Sequence, residues 1–162
     1  GGGSLRDVIV NDHAVFWLIQ PTYIYLIIGG TLFAIILRKR LNYFKKTLLL
    51  FDTLGLALYT IIGVEIGIQN NLSGISCVAL GTITGSFGGV LRDILVNDIP
   101  LIFRKEIYAT ISILGGTLYF LMHFLKGNHL YTQMTPIAII IILRFIVIRY
   151  KISLPTIYAE SN

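Results

Sequence analysis

Five apolar stretches, Tyr23–Leu37, Leu48–Ile68, Leu72–Leu95, Ile107–Leu125 and Met134–Ile148, occupy most of this chain. Most approach the roughly 20 residues that a helix needs to cross the hydrocarbon of a bilayer. A soluble helical bundle would carry polar faces at helical period, whereas these segments are apolar nearly all round. Of the 162 residues 55% are hydrophobic and only 13% charged, against roughly 25% charged in a soluble domain. The expected fold class is therefore all-α integral membrane, with five spanning helices and the lipid bilayer as first partner.

The formal charge of +5 reads as topology rather than as a nucleic-acid surface. Lys and Arg cluster at Arg38–Lys46 (Arg38, Lys39, Arg40, Lys45, Lys46), at Arg104 and Lys105, and at Arg149 and Lys151. The positive-inside rule places all three clusters in the cytoplasm. Leu48–Ile68 then runs outward, Leu72–Leu95 inward, Ile107–Leu125 outward and Met134–Ile148 inward, with Lys126 alone in an external loop. The expected location is the plasma membrane, multi-pass, C-terminus cytoplasmic. Cys77 lies within an apolar stretch and reads as a small packing residue. His13, His123 and His129 stand at no metal-site spacing. With no Ser/His/Asp order and no phosphate loop, no catalytic residue, metal or cofactor is expected.

The chain also contains a repeat. Shifted by 86 positions, Gly2-Gly3-Ser4-Leu5-Arg6-Asp7-Val8-Ile9-Val10-Asn11-Asp12 lies on Gly88-Gly89-Val90-Leu91-Arg92-Asp93-Ile94-Leu95-Val96-Asn97-Asp98, and Gly29-Gly30-Thr31-Leu32 lies on Gly115-Gly116-Thr117-Leu118. A unit of three helices is odd in number, so its second copy enters the membrane from the opposite side, an organisation common among transport proteins. The segments are then residues 1–37, the end of a first repeat; 48–125, a complete second repeat; and 134–162, a final helix with its tail. On this reading the chain is an N-terminally truncated piece of a seven-helix protein. A five-helix protein in its own right would leave Arg6 and Asp7 without a helix to terminate.

Helix Leu72–Leu95 concentrates the candidate site. Gly81, Gly85, Gly88 and Arg92 form one stripe, and Thr82, Ser86, Gly89 and Asp93 form the next. Two readings are open for the glycines: close helix packing, or a weakened helix lining a watery path with freed carbonyls. Adjacent residues point about 100° apart on a helix, so Arg92 is expected to pair elsewhere, leaving Asp93 as the better cation contact. Both could instead anchor the helix at the interface, and Arg6 and Asp7 carry the same alternatives at the opposite mouth. Asp52, with Gly55, Tyr59, Gly63 and Gly67 near its face, is a cation attractor, an Arg partner, or an N-terminal charge favoured by the helix dipole. Glu65 points to roughly the other side, near the outer end.

Three blocks resemble the bacterial trimeric intracellular cation (TRIC) channels and the related glycine-transporter-like domains. They are Gly1-Gly-Gly-Ser-Leu-Arg-Asp7, Asp52-Thr-Leu-Gly-Leu-Ala-Leu-Tyr-Thr-Ile-Ile-Gly63-Val-Glu65, and Gly81-Thr-Ile-Thr-Gly85-Ser-Phe-Gly88-Gly89-Val-Leu-Arg92-Asp93. The resemblance covers nearly all of the chain. It implies seven helices per subunit, a homotrimer, and a pore in each subunit lined by glycine-kinked second and fifth helices. The path would be lined by Gly2, Gly3, Ser4, Asp7, Thr82, Ser86, Gly88, Gly89 and Asp93, with Arg6, Arg92, Asp52 and Glu65 as helix-end or gating charges. Phe87 and Ile66 depart from the family's pattern, the first in a glycine triplet and the second where many relatives have lysine after the glutamate. The function implied is a monovalent-cation channel passing potassium, which predicts a continuous wet path. The alternatives are a secondary transporter of a small zwitterion such as glycine, gripped by an Arg and a helix N-terminus, and a non-transporting scaffold.

Overall fold

The computed structural model describes residues 1–10, 15–37, 44–104, 107–125, 129–150 and 152. Among these residues eight helices follow one another: α1 (Gly2–Val10), α2 (Phe16–Ile19), α3 (Thr22–Leu37), α4 (Phe44–Gln69), α5 (Gly74–Leu95), α6 (Leu101–Arg104), α7 (Ile107–Phe124) and α8 (His129–Tyr150). Among the described residues there is no strand. Leu48–Gln69, Gly74–Leu95, Ile107–Phe124 and Leu130–Tyr150 are long and apolar enough to cross a membrane, whereas α3 has 16 residues. At 1.5 Å per residue α3 covers about 24 Å, short of the roughly 30 Å hydrocarbon core. The fifth expected span is thus shorter than the other four. Arg38, Lys39, Arg40, Lys105, Lys126, Lys151 and the tail after Ile152, on which the expected topology rests, lie outside the described residues, as do Asn11, Asp12 and His13.

Local chemistry sets the helix ends. α4 closes at Asn71, in the left-handed region at φ 54°, where the Asn71 and Leu72 amides donate back to the Ile68 and Gly67 carbonyls. α5 closes in the same way at Asn97 (φ 59°), with Asn97 and Asp98 donating to Ile94 and Asp93. Both are Schellman turns, and Asn is the non-glycine residue that tolerates this conformation best. α5 starts at Gly74 rather than Leu72, because Ser73 caps it by accepting the Ser76 amide at 3.3 Å. α8 begins at His129, ahead of the expected Met134, and carries Pro136 inside it.

α4, α5, α7 and α8 pack together as a bundle around Leu56, Ala57, Val64, Tyr108, Tyr119 and Ile140. The α4–α5 contact is built from small residues. A Cβ on Gly63 would stand 2.7 Å from the Gly81 Cα, one on Gly81 2.6 Å from the Thr60 carbonyl, and one on Gly85 2.9 Å from the Leu56 carbonyl. Such approach replaces the missing hydrophobic drive between helices in lipid with dispersion contact. Buried hydroxyls are satisfied locally: Thr84 donates to the Leu80 carbonyl at 2.6 Å, and Thr60 shares a hydrogen with Ser112 across α4 and α7 at 2.6 Å.

The 86-residue offset reappears in three dimensions. Adding 86 to Phe16–Ile19 and Thr22–Leu37 gives 102–105 and 108–123, against Leu101–Arg104 and Ile107–Phe124 for α6 and α7. α1 likewise matches the last turns of α5. The environments differ, however. Gly115 is pressed against Ile140 of α8 and a Cβ on Gly116 would lie 3.3 Å from Val64, while nothing stands within 4 Å of their counterparts Gly29 and Gly30.

We expect Gly81→Ala to lower the thermal midpoint of the purified protein, since overpacking a filled interface costs about 1–3 kcal/mol. Gly55→Ala, where the nearest atom to a Cβ is Tyr59 Cδ2 at 3.9 Å, should leave the midpoint unchanged or raise it, as alanine is the better helix former by about 1 kcal/mol. Equal effects of the two substitutions would mean that close approach is not what Gly81 provides.

Candidate functional site

α1 lies across α5 so that the two copies of the glycine block meet. A Cβ on Gly2 would collide with the Thr84 carbonyl, and one on Gly1 would stand 3.1 Å from the Gly88 Cα. Beside this crossing a cavity of about 890 Å³ opens between α1, α2, α4 and α5. Its glycine wall is Gly1, Gly2, Gly3, Gly55, Gly85, Gly88 and Gly89, and its apolar wall includes Phe51, Tyr59, Ile62 and Ile66. Among the described residues four with charged side chains line it: Arg6 and Asp7 from the first copy, Asp52 from α4 and Arg92 from the second copy. Ser4 and Trp17 also line it, joined by an indole-to-hydroxyl hydrogen bond of 3.1 Å.

The charges are organised in pairs. Arg6 Nε donates to Asp7 Oδ1 at 2.9 Å. Arg92 makes the equivalent bond to its neighbour, from Nε to Asp93 Oδ1 at 2.9 Å, and also donates from Nη1 to Asp52 Oδ1 at 2.9 Å. Arg92 thus pairs elsewhere as expected, with Asp52 in the role of Arg partner, but it also bonds its neighbour Asp93, which was not expected. The divergence of adjacent Cα–Cβ bonds is overcome by the length of the arginine stem, and the planar guanidinium serves two carboxylates at once.

The structure separates the two stripes of α5. Gly85, Gly88 and Arg92 reach the cavity, as does Gly89; Thr82, Ser86 and Asp93 do not. Thr82 donates to the Val78 carbonyl at 2.9 Å, and Ser86, buried, donates to the Thr82 carbonyl at 2.6 Å, so both hydroxyls are spent on their own helix. Asp93 accepts the Leu101 amide at 3.1 Å, tying the end of α5 to the start of α6. The glycines do not interrupt the helix either: α5 is continuous through Gly88 and Gly89. What they supply is space, since a Cβ on Gly89 would sit 3.0 Å from Asp52 Oδ1 and 3.2 Å from the Tyr108 hydroxyl. Glu65 is half-buried and lies off the cavity, in electrostatic reach of Tyr119.

One charged residue escaped the sequence reading. Arg144 of α8 is 2% exposed, 3.7 Å from Asp52 Oδ2 through Nη2, with its guanidinium carbon 4.4 Å above the Tyr108 ring centroid. Its signal was a lone arginine inside an apolar span, which is costly there and so calls for a partner. Among the described residues no group of three or more His, Cys, Asp or Glu side chains could hold a metal ion.

Because Asp52 serves two arginines, Asp52→Ala should reduce the fraction of monodisperse protein in detergent and cost about 3–5 kcal/mol, the range for stripping a buried charge of its partner. Asp93→Ala leaves Arg92 with Asp52 and should cost less. A larger loss from Asp93→Ala, measured by thermal unfolding beside Asp52→Ala, would place the centre of the network at Asp93.

Residues 1–39 and 49–124 match the family described as Glycine transporter. The inner membrane protein YadS of Escherichia coli, of the group UPF0126, is 32% identical over 164 residues, covering 100% of this chain and 79% of that protein. A UPF0126 membrane protein of Vibrio cholerae is 31% identical over 157 residues, covering 96% of this chain and 66% of its own length. Among solved structures, a TRIC trimeric intracellular cation channel orthologue from Rhodobacter sphaeroides superposes with a TM-score of 0.88 at 28% identity, over 94% of this chain and 78% of that one. A prokaryotic TRIC channel crystallised in 0.5 M KCl superposes at 0.85 with 30% identity, over 94% and 78% of the two chains. The chain is thus an all-α membrane protein with the fold of the TRIC channels, and it belongs to the glycine transporter family.

Proposed function

We propose that this protein is a multi-pass channel for monovalent cations, potassium foremost, working as a homotrimer with a path inside each subunit. The observation that carries the reading is the cavity itself. The glycine blocks of both repeats meet along it, and Asp7 and Asp52 present carboxylates to it. Its backbone-lined wall and paired charges suit a small hydrated ion better than a bulky substrate, since ion paths are built from backbone carbonyls and charged side chains. The fold supports the reading, because the relatives of known structure are described as cation channels. Gly2, Gly3, Ser4, Asp7, Gly88 and Gly89 are the proposed path residues. Thr82, Ser86 and Asp93 act on it through the α5 backbone and Arg92, and Arg6, Arg92 and Asp52 are the charges at its wall. We place the protein in the plasma membrane with the C-terminus in the cytoplasm, a placement supported by the basic clusters of the sequence under the positive-inside rule.

A second reading has its own support. Arg6 and Arg92 face the same cavity as Asp52, so both ends of a small zwitterion such as glycine could be bound there, and the family's description points the same way.

Gly88 separates these readings from a packed, dry scaffold. A Cβ there meets only the Gly2 amide nitrogen at 3.9 Å, so Gly88→Leu should fill the path without breaking the fold. Potassium flux into liposomes should fall at least about tenfold, with assembly by size exclusion unchanged; unaltered flux would exclude this cavity as the path. Saturable uptake of labelled glycine in place of potassium current would establish the transporter instead. A reporter fused after Asn162 should stay inaccessible from outside intact cells.

A further inference from the structure

We propose that Arg144 is a positioning residue that sets the electrostatic potential of the cavity by neutralising Asp52 from behind, an inference that rests on the reading of the cavity as an ion path. Arg144 does not line the cavity, whereas Asp52 and Arg92 do. Four helices converge on this point: α4 brings Asp52, α5 brings Arg92 and Asp93, α7 brings Tyr108, and α8 brings Arg144. The two carboxylates and two guanidiniums sum to zero. Without Arg144 the cluster would present one net negative charge to the cavity.

The geometry shows how Arg144 acts. Asp52 commits Oδ1 to Arg92 on the cavity side at 2.9 Å. Its other oxygen, Oδ2, has no hydrogen-bond partner among the described residues, and neither has Arg144 Nε. Arg144 Nη2 stands 3.7 Å from Oδ2, close enough for charge compensation but too far for a hydrogen bond. Arg144 therefore cancels the charge of Asp52 without competing for the oxygen that orients Arg92. The Tyr108 ring holds the guanidinium in place by a cation–π contact. With the side chains of Asp52 and Arg144 only 4% and 2% exposed, little water screens this field on the protein side, so it is expressed toward the cavity.

Trp17, the single tryptophan of the chain, lines the cavity and reports its potential whether or not ions cross. Its fluorescence would be quenched with caesium and with iodide at constant low ionic strength, in detergent-solubilised wild type, R144Q, R144K and the double variant D52N/R144Q. We expect the caesium-to-iodide quenching ratio to rise about fourfold in R144Q, the combined effect on opposite ions of one unit charge taken at about 10 Å in water. It should stay near the wild-type ratio in R144K, which keeps the charge, and return to it in the double variant, where Asp52 no longer needs compensation. A purely structural Arg144 would change assembly and leave the ratio of assembled protein untouched, and that result overturns the proposal. A ratio still raised in the double variant overturns it too, by showing that Arg144 does not act through Asp52. Should R144Q fail to assemble, D52N decides in its place: with Arg144 uncompensated the ratio should fall about fourfold in D52N and return to the wild-type value in the double variant, whereas equal ratios in D52N and the double variant refute the proposal. Absence of potassium current through the wild-type protein would defeat the channel reading while leaving these quenching results to judge Arg144.

Discussion

At Gly81 and Gly85 the backbone of α5 lies against the Thr60 and Leu56 carbonyls of α4, closer than any side chain would allow. Much of the arrangement depends on this approach. It sets α5 deep in the bundle, so that the last turns of the helix carry Gly88, Gly89 and Arg92 to the cavity while Asp93 reaches the amide of Leu101. Repeated at the crossing of α1 over Thr84 and Gly88, the same device brings the first copy of the motif onto the second. In lipid, where apolar side chains gain little by leaving one apolar medium for another, such contact is what holds helices at a defined distance.

The charged cluster is the counterpart of that packing. Ionisable groups in a span are costly unless paired, and here three arginines each have a carboxylate within 4 Å: Arg6 has Asp7, Arg92 has Asp52 and Asp93, and Arg144 has Asp52. Gly89 makes room for this, since the Asp52 carboxylate and the Tyr108 hydroxyl occupy the space a side chain would need. The glycines of the repeated motif thus serve packing at Gly2, access at Gly88 and charge accommodation at Gly89, three uses of one absent Cβ.

Internal duplication was legible as an offset of 86 residues, and the helices obey it, but the environments of the two copies do not. Gly115 and Gly116 are packed against α8 and α4, whereas Gly29 and Gly30 face open space. A repeat in sequence records common ancestry of a unit; what each copy touches depends on which other helices lie beside it. The same limit explains the stripes of α5. Thr82, Ser86 and Asp93 look like a ready-made polar lining at helical spacing, yet a hydroxyl in a dry span bonds the carbonyl of its own preceding turn, and Asp93 finds an amide on the next helix.

The sequence alone determined the solvent and the main spans, since long apolar runs demand lipid and lipid demands helices; the ends came from the structure, where Asn71 and Asn97 take left-handed turns, Ser73 caps α5 and α8 starts at His129 instead of Met134. The sequence also singled out Asp52, Arg92 and the glycine blocks as the residues hardest to place in a plain membrane helix. Only the tertiary structure decided which face of α5 meets the cavity, that Arg92 bridges Asp93 and Asp52, and that Arg144, 92 residues from Asp52 along the chain, stands behind it. Periodicity assigns a residue to a side of its own helix, whereas the direction of the cavity and the identity of an ion-pair partner depend on how separate helices are set against one another, by close contacts that no single helix contains.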